Sequence, residues 1–198
     1  LSLPDAVNLI RGKRGTNVVL NIFREGEDKA KDVSIIRDTI IVKSVEVSYK
    51  DTQGGKNVAI IKLSRFAERT KEEWSNAVND ILAKKPQAIV LDVRNNPGGF
   101  LEGAVFIGSE FLDGGDVVLQ EDAAGDKSSF KVNRIGRLLQ IPLEVLINKG
   151  SASASEILAG ALQDYGIAKL VGEKTFGKGS VQEVVPLTDS TSLKVTVA

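Results

Sequence analysis

Three segments of the chain carry groups that could stabilise an oxyanion, supply a hydroxyl nucleophile and move its proton. The first is Asp92-Val93-Arg94-Asn95-Asn96-Pro97-Gly98-Gly99. Its paired glycines let the backbone turn sharply and leave N–H groups facing a ligand or a developing negative charge. The same residues would equally serve a plain strand-to-helix turn, with Asn and Gly supplying left-handed geometry. The second is Gly150-Ser151-Ala152-Ser153-Ala154-Ser155-Glu156, small residues between an apolar run and a helical pattern. A serine at such a junction has free N–H groups and the positive end of the helix dipole beside its hydroxyl. Serines also cap helices there, and spacing does not rank Ser151, Ser153 and Ser155.

The third segment runs from Gly172 to Gln182 and holds Lys178 between two glycines, with no acid next to it. If Lys178 opens a strand, then Lys178, Ser180 and Gln182 point to one face. A general-base lysine must be neutral part of the time. Bringing its ordinary value of ~10.4 near 7 disfavours the ammonium by about 4–5 kcal/mol. Apolar burial would do this, and a nearby Glu173 or Glu183 would oppose it. A solvated lysine in a Gly-rich hairpin is the plainer alternative. Gly172-x-x-x-x-Gly177-Lys178 also matches most of a phosphate-binding loop, with Ile89–Asp92 as its acidic strand. Against that stand Gly179, where the loop needs Ser or Thr, and the β-branched run ending at Pro186, where it needs a helix.

Missing residue types narrow the chemistry further. The 198 residues include no His and no Cys, which excludes a Ser-His-Asp triad, imidazole-ligated metals, thiol nucleophiles and disulfides. A hydrolase built on this chain needs Lys or a carboxylate as its base. The 26 basic and 26 acidic side chains balance, which argues against nucleic acid or an anionic membrane as a mainly electrostatic partner. No apolar run approaches the ~18 residues of a membrane span. The chain opens on Leu1-Ser2-Leu3-Pro4, already structured-looking, and stops at Thr196-Val197-Ala198 within a β-like run. We expect a piece of a longer protein.

The elements around these segments alternate. Residues 1–38 read as a small unit: a helix through Leu3, Ala6, Val7 and Ile10 capped by Ser2-x-x-Asp5, then strands near 17–23 and 32–37. One helix and two strands can hardly enclose a core alone. From residue 39 to 198, strands are expected at 58–63, 88–93, 143–147, 168–172 and 181–187. Between them, Thr70-x-x-Glu73 reads as a capping box before the stripe Trp74, Ala77, Val78, Ile81 and Leu82. Further helices run through Leu101–Leu112 and Ala154–Tyr165. The unbroken apolar run Ala88–Leu91 suggests a strand covered on both faces. Asp122–Asn133 reads as a loop or exposed hairpin. Strands alternating with helices imply an α/β fold with a mostly parallel sheet, whose ligands lie at strand ends.

Together and in this order, the three segments resemble the carboxyl-terminal processing peptidases, also called tail-specific proteases. The resemblance rests on Leu91–Gly99, Gly150–Ile157 and Val171–Gln182, with Ala159–Gly166 between the last two. Leu3–Val7, Gly12 and Gly15-Thr16 resemble the C-terminal half of the family's PDZ domain. It implies a crotonase-like core over 39–198, a partial PDZ segment over 1–38, and a serine endopeptidase that cuts proteins near their C-terminus. The family's nucleophile falls on Ser153, its general base on Lys178, and the residue orienting that lysine on Gln182. Its oxyanion donors fall on the N–H groups of Gly99 and Ala154. The resemblance implies no metal or organic cofactor, substrates with apolar C-terminal tails, no nucleic-acid partner, and an extracytoplasmic setting: bacterial periplasm or cell envelope, or thylakoid lumen. It is compatible with a homo-oligomer and assigns any membrane attachment to segments outside these residues. The alternative is a non-catalytic scaffold, or an inactive fragment, that holds tails on the same fold.

Overall fold

The computed structural model describes residues 2–188 and 191–198. Residues 1–42 and 43–198 form two compact units. In the first, α1 (Leu3–Ile10) begins at Ser2, whose hydroxyl accepts the Asp5 N–H while the Asp5 carboxylate accepts the Ser2 N–H. That is the capping box expected from the sequence. Strands β1 (Asn17–Ile22) and β2 (Lys31–Ile36) pair antiparallel. Arg37 ties helix to strands by donating to the carbonyls of Ile10 at 2.7 Å and Asn17 at 3.0 Å. No hydrophobic side chain among the described residues of this unit is fully buried, in keeping with so few elements.

The second unit runs β3 (Val45–Asp51), β4 (Asn57–Leu63), α2 (Thr70–Lys84), β5 (Ala88–Asp92), α3 (Leu101–Gly108), β6 (Asp116–Glu121), β7 (Lys127–Lys131), β8 (Leu143–Ile147), α4 (Ala154–Asp164), β9 (Ala168–Gly172), β10 (Gln182–Pro186) and β11 (Ser192–Thr196). Its main sheet has the order β3-β4-β5-β8-β9. Only β3 is antiparallel; the others run parallel, as the alternation implied. Hairpins β6–β7 and β10–β11 stand apart from this sheet. The polar stretch after Glu121 is the turn and second strand of the first hairpin. No helix among the described residues is long and apolar enough to cross a membrane.

The core lies against one face of the sheet. Ala59, Ile61 and Leu63 of β4, Ile89 and Leu91 of β5 and Val145 of β8 alternate inward by the strand period of two. They meet Trp74, Val78 and Ile81 of α2, Ala104 and Ile107 of α3, and Leu158 and Leu162 of α4. Each fully buried Leu or Ile there contributes about 1.5–3 kcal/mol. The alternate residues Val58, Ile60, Ala88 and Val90 are only half-buried, so β5 is not covered equally on both faces as its apolar run suggested. Leu82 likewise stays largely outside the core.

The expected Thr70 capping box does not form, because tertiary partners take its polar atoms. Thr70 is the first helical residue, and its Oγ1 accepts the Ala67 N–H and donates to Ser44. The Glu73 carboxylate instead accepts the Ser44 N–H and hydroxyl, both at 2.7 Å, and the Val45 N–H. Those bonds fix the start of β3, a strand absent from the expected set. Beyond α3, buried Glu110 accepts from Trp74 Nε1 at 3.1 Å, Arg134 at 2.6 Å and Arg137 at 3.0 Å. Burial alone would raise its carboxyl, but the two guanidiniums pull it down to about 2.

Candidate active site

Two turns at the C-terminal ends of adjacent parallel strands meet at the sheet's edge, where α/β folds hold ligands. The turn after β5 opens with Asp92, nearly buried. Arg94 grips it with Nε at 2.8 Å and Nη2 at 2.6 Å. Burial would raise the Asp92 carboxyl, and the Arg94 guanidinium and N–H hold it below its ordinary value. Next, Asn95 (φ 58°) and Asn148 join the two turns through a reciprocal pair of bonds at 2.8 and 3.0 Å. Asn96 is wholly buried, and its carbonyl accepts the Ala152 N–H and the Ser155 hydroxyl, both at 3.0 Å.

Glycine is required at the end of this turn for two separate reasons. Gly98 has φ 94°, and a Cβ on it would lie 2.7 Å from the Ala152 carbonyl and 2.8 Å from Ser153 Cβ. Gly99 has φ 142° and forms a parallel bridge with Phe66, whose carbonyl a Cβ would strike. Neither Gly99 N–H nor Ala154 N–H donates a hydrogen bond among the described residues.

The turn after β8 separates the three serines that spacing left equal. Ser151 is buried, and its hydroxyl donates to the Val93 carbonyl at 2.7 Å and accepts the Asn148 N–H. Ser155 is buried and occupied with Asn96. Ser153 is half-exposed, stands directly before α4, and has φ 56° and ψ −118°. Positive φ on a non-glycine residue costs of order 1–3 kcal/mol and persists only when its surroundings enforce it.

Glu156 is the residue of this site that sequence reasoning misses. Its carboxylate accepts the N–H groups of Ser153 at 2.7 Å, Gly177 at 2.6 Å and Lys178 at 2.9 Å. Burial would raise its carboxyl, but the Thr175 hydroxyl and these three N–H groups hold it below the usual carboxylate range. The Ser-x-x-Glu spacing signals the local half of this arrangement, as in a capping box. The other half joins a segment more than a helix away. That segment reaches the same turn again through Phe176, whose N–H donates to the Ser151 carbonyl at 3.0 Å.

Lys178 is half-buried and lies before the strand rather than at its opening, since β10 starts at Gln182. The chain beyond Lys178 enters this strand and not a helix, which removes the phosphate-loop alternative. One cavity of about 620 Å³ is lined by Gly99, Ser153, Ala154, Lys178 and Gln182, all five of the expected site residues. Phe100, Leu101, Val118 and Ile157 add apolar walls, and β6 borders it. No hydrogen bond joins the Ser153 and Lys178 side chains among the described residues.

This arrangement can be set beside known proteins. Residues 57–198 match the model of peptidase family S41, and the chain belongs to that family. Its curated relatives include proteins named carboxyl-terminal processing proteases. The protein of that name from Synechocystis sp. (strain PCC 6803) is 38% identical over 198 residues, covering 100% of this chain and 46% of the relative. CtpA of Bacillus subtilis (strain 168) is 39% identical over 199 residues, covering 100% and 41%. Among solved structures, a photosystem II D1 C-terminal processing protease is similar with a TM-score of 0.72 and 29% identity, covering 100% of this chain and 54% of that one. The chain thus spans less than half the length of these curated relatives.

Proposed function

We propose that this chain carries the catalytic core of a carboxyl-terminal processing serine endopeptidase acting through Ser153 and Lys178. The observation that carries the reading is the shared cavity: it gathers a hydroxyl, an amine and two unengaged N–H groups in a chain without histidine. Ser153 is the nucleophile, Lys178 its general base, and Gln182 the residue that orients the lysine. Neutral Lys178 takes the Ser153 proton as Oγ bonds to the scissile carbonyl carbon. The carbonyl electrons move onto oxygen, which the Gly99 and Ala154 N–H groups hold. The resulting ammonium protonates the leaving amine as the C–N bond breaks. Water then attacks the acyl-enzyme with Lys178 again as base, and as the ester bond breaks the ammonium returns that proton to Ser153 Oγ, restoring hydroxyl and neutral amine. These steps need no metal or organic cofactor.

Residues 39–198 are on this reading a crotonase-like catalytic core, and residues 1–38 the C-terminal half of a PDZ domain that presents apolar substrate tails. The setting is extracytoplasmic, as for the family. Catalysis requires the lysine amine within about 3 Å of Ser153 Oγ, a contact that often tightens only with substrate bound. Mass spectrometry of a peptide with an apolar C-terminal tail, incubated with the full chain, tests the reading. Cleavage by the wild type and none by Ser153→Ala or Lys178→Ala is expected. Binding without cleavage by the wild type would instead favour a scaffold.

A further inference from the structure

The geometry points to Asn96 as the positioning residue that holds both oxyanion donors in register, an inference that rests on the Ser153–Lys178 reading. Its side chain is wholly buried and uses both ends of its amide. Nδ2 donates to the Leu63 carbonyl at the end of β4, at 2.8 Å. Oδ1 accepts the Gly98 N–H at 2.9 Å. The first bond anchors the amide to the sheet, and the second fixes the Pro97–Gly98 peptide, one before the peptide that carries the Gly99 N–H. The Asn96 carbonyl holds the opposite turn by taking the Ala152 N–H and the Ser155 hydroxyl, on either side of Ser153 and next to Ala154.

One residue therefore hydrogen-bonds to the neighbours of each donor and, among the described residues, to neither donor, nor to Ser153 or Lys178. A hole made of two N–H groups works only if both aim at the point where the oxyanion will form, and losing one such donor typically costs 10²–10³-fold in kcat. Asn96 has the shape for this task. Asp would set a carboxylate oxygen against the Leu63 carbonyl, and Ala would leave both the Leu63 carbonyl and the Gly98 N–H buried without partners.

The test uses Asn96→Asp and Asn96→Ala in the full chain, with Ser153→Ala as reference. Three readouts are taken on a cleaved peptide: kcat and KM, the pH profile of kcat, and affinity for a peptide aldehyde against the matching product peptide. A folded variant is expected to lose about 10²-fold in kcat. KM should stay within about threefold and the pH profile should keep its shape, because Lys178 is untouched. Aldehyde affinity should fall in proportion to kcat while product affinity holds, which a general loosening of the fold would not produce. If Asn96→Ala does not fold, Asn96→Asp carries the test. Wild-type kcat in a folded variant overturns the proposal, as does failure of both variants to fold, since Asn96 would then serve the fold alone. Wild-type cleavage by Ser153→Ala would overturn the underlying reading, and this inference with it.

Discussion

The two sides of the cavity are built differently. On the Ser153 side, Asn96, Ser151, Ala152, Ala154 and Ser155 are buried; Asn96, Ala152 and Ser155 bond to one another across the two turns, and Ser151 bonds to Val93. On the Lys178 side, the segment leads into β10 and β11, whose residues are exposed throughout. The Lys178 side is fastened to the Ser153 side chiefly by the Glu156 carboxylate and the Phe176 N–H. Burial therefore fixes the surroundings of Ser153, whereas a few hydrogen bonds hold the segment of Lys178. Regions with few buried contacts open at low free-energy cost, so the base side can detach while the core stays folded.

The largest effect should come from removing either reacting group. Ser153→Ala and Lys178→Ala in the full chain should each lower peptide cleavage by more than about 10⁴-fold, with melting temperatures near that of the wild type. Next comes the tether. Glu156→Gln keeps the shape but loses the charge that three N–H groups share, and hydrogen bonds to charged groups are worth about 1.5–3 kcal/mol each. We expect kcat to fall about 10- to 100-fold with little change in melting temperature. A parallel loss of both would erase the distinction between the two sides.

Acid should act on the same tether. The folded Glu156 carboxyl lies below its ordinary value, so its stabilisation is complete above the unfolded value of ~4.3 and drains away as pH falls through the folded value. Hydrogen-exchange protection of the Gly177 and Lys178 amides should then drop before that of β5 and β8. Glu110 probes the buried core away from the cavity, because Glu110→Gln leaves two guanidiniums without their anion. It should destabilise the fold by about 3 kcal/mol, read as a lower melting temperature, while the enzyme that remains folded keeps its kcat. Smallest of all, Val184→Thr on the exposed β10 should stay within about 0.5 kcal/mol of the wild type in chemical denaturation.

Much of this is legible in the sequence wherever the determining contacts are local. Ser2 and Asp5 lie three residues apart and make their capping box. The apolar runs of β4, β5 and β8 and the stripes of α2 and α4 yield the mostly parallel sheet and its helices. Signals fail where distant partners compete. Thr70 and Glu73 have the capping spacing, but Ser44 and Ala67 take their polar atoms. In β3, Val45, Val47 and Tyr49 alternate as a half-buried strand should, a signal easily passed over because the run is short and only Val45 is fully buried. The serines illustrate the same limit at the site. Ser151 and Ser155 are set apart from Ser153 by burial and by the carbonyls they meet, which belong to residues more than fifty positions earlier. The motif resemblance singles out Ser153 and Lys178, while the second task of Glu156 depends on a loop returning to the helix it left behind.

The pairing of Ser153 with Lys178 is tested most directly by labelling the full chain with a fluorophosphonate and locating the adduct by peptide mass spectrometry. One adduct is expected, on Ser153, forming faster as pH rises because the amine must be neutral, and reduced to trace levels in Lys178→Ala. An adduct on Ser151 or Ser155, or a labelling rate unchanged in Lys178→Ala, would contradict the pairing.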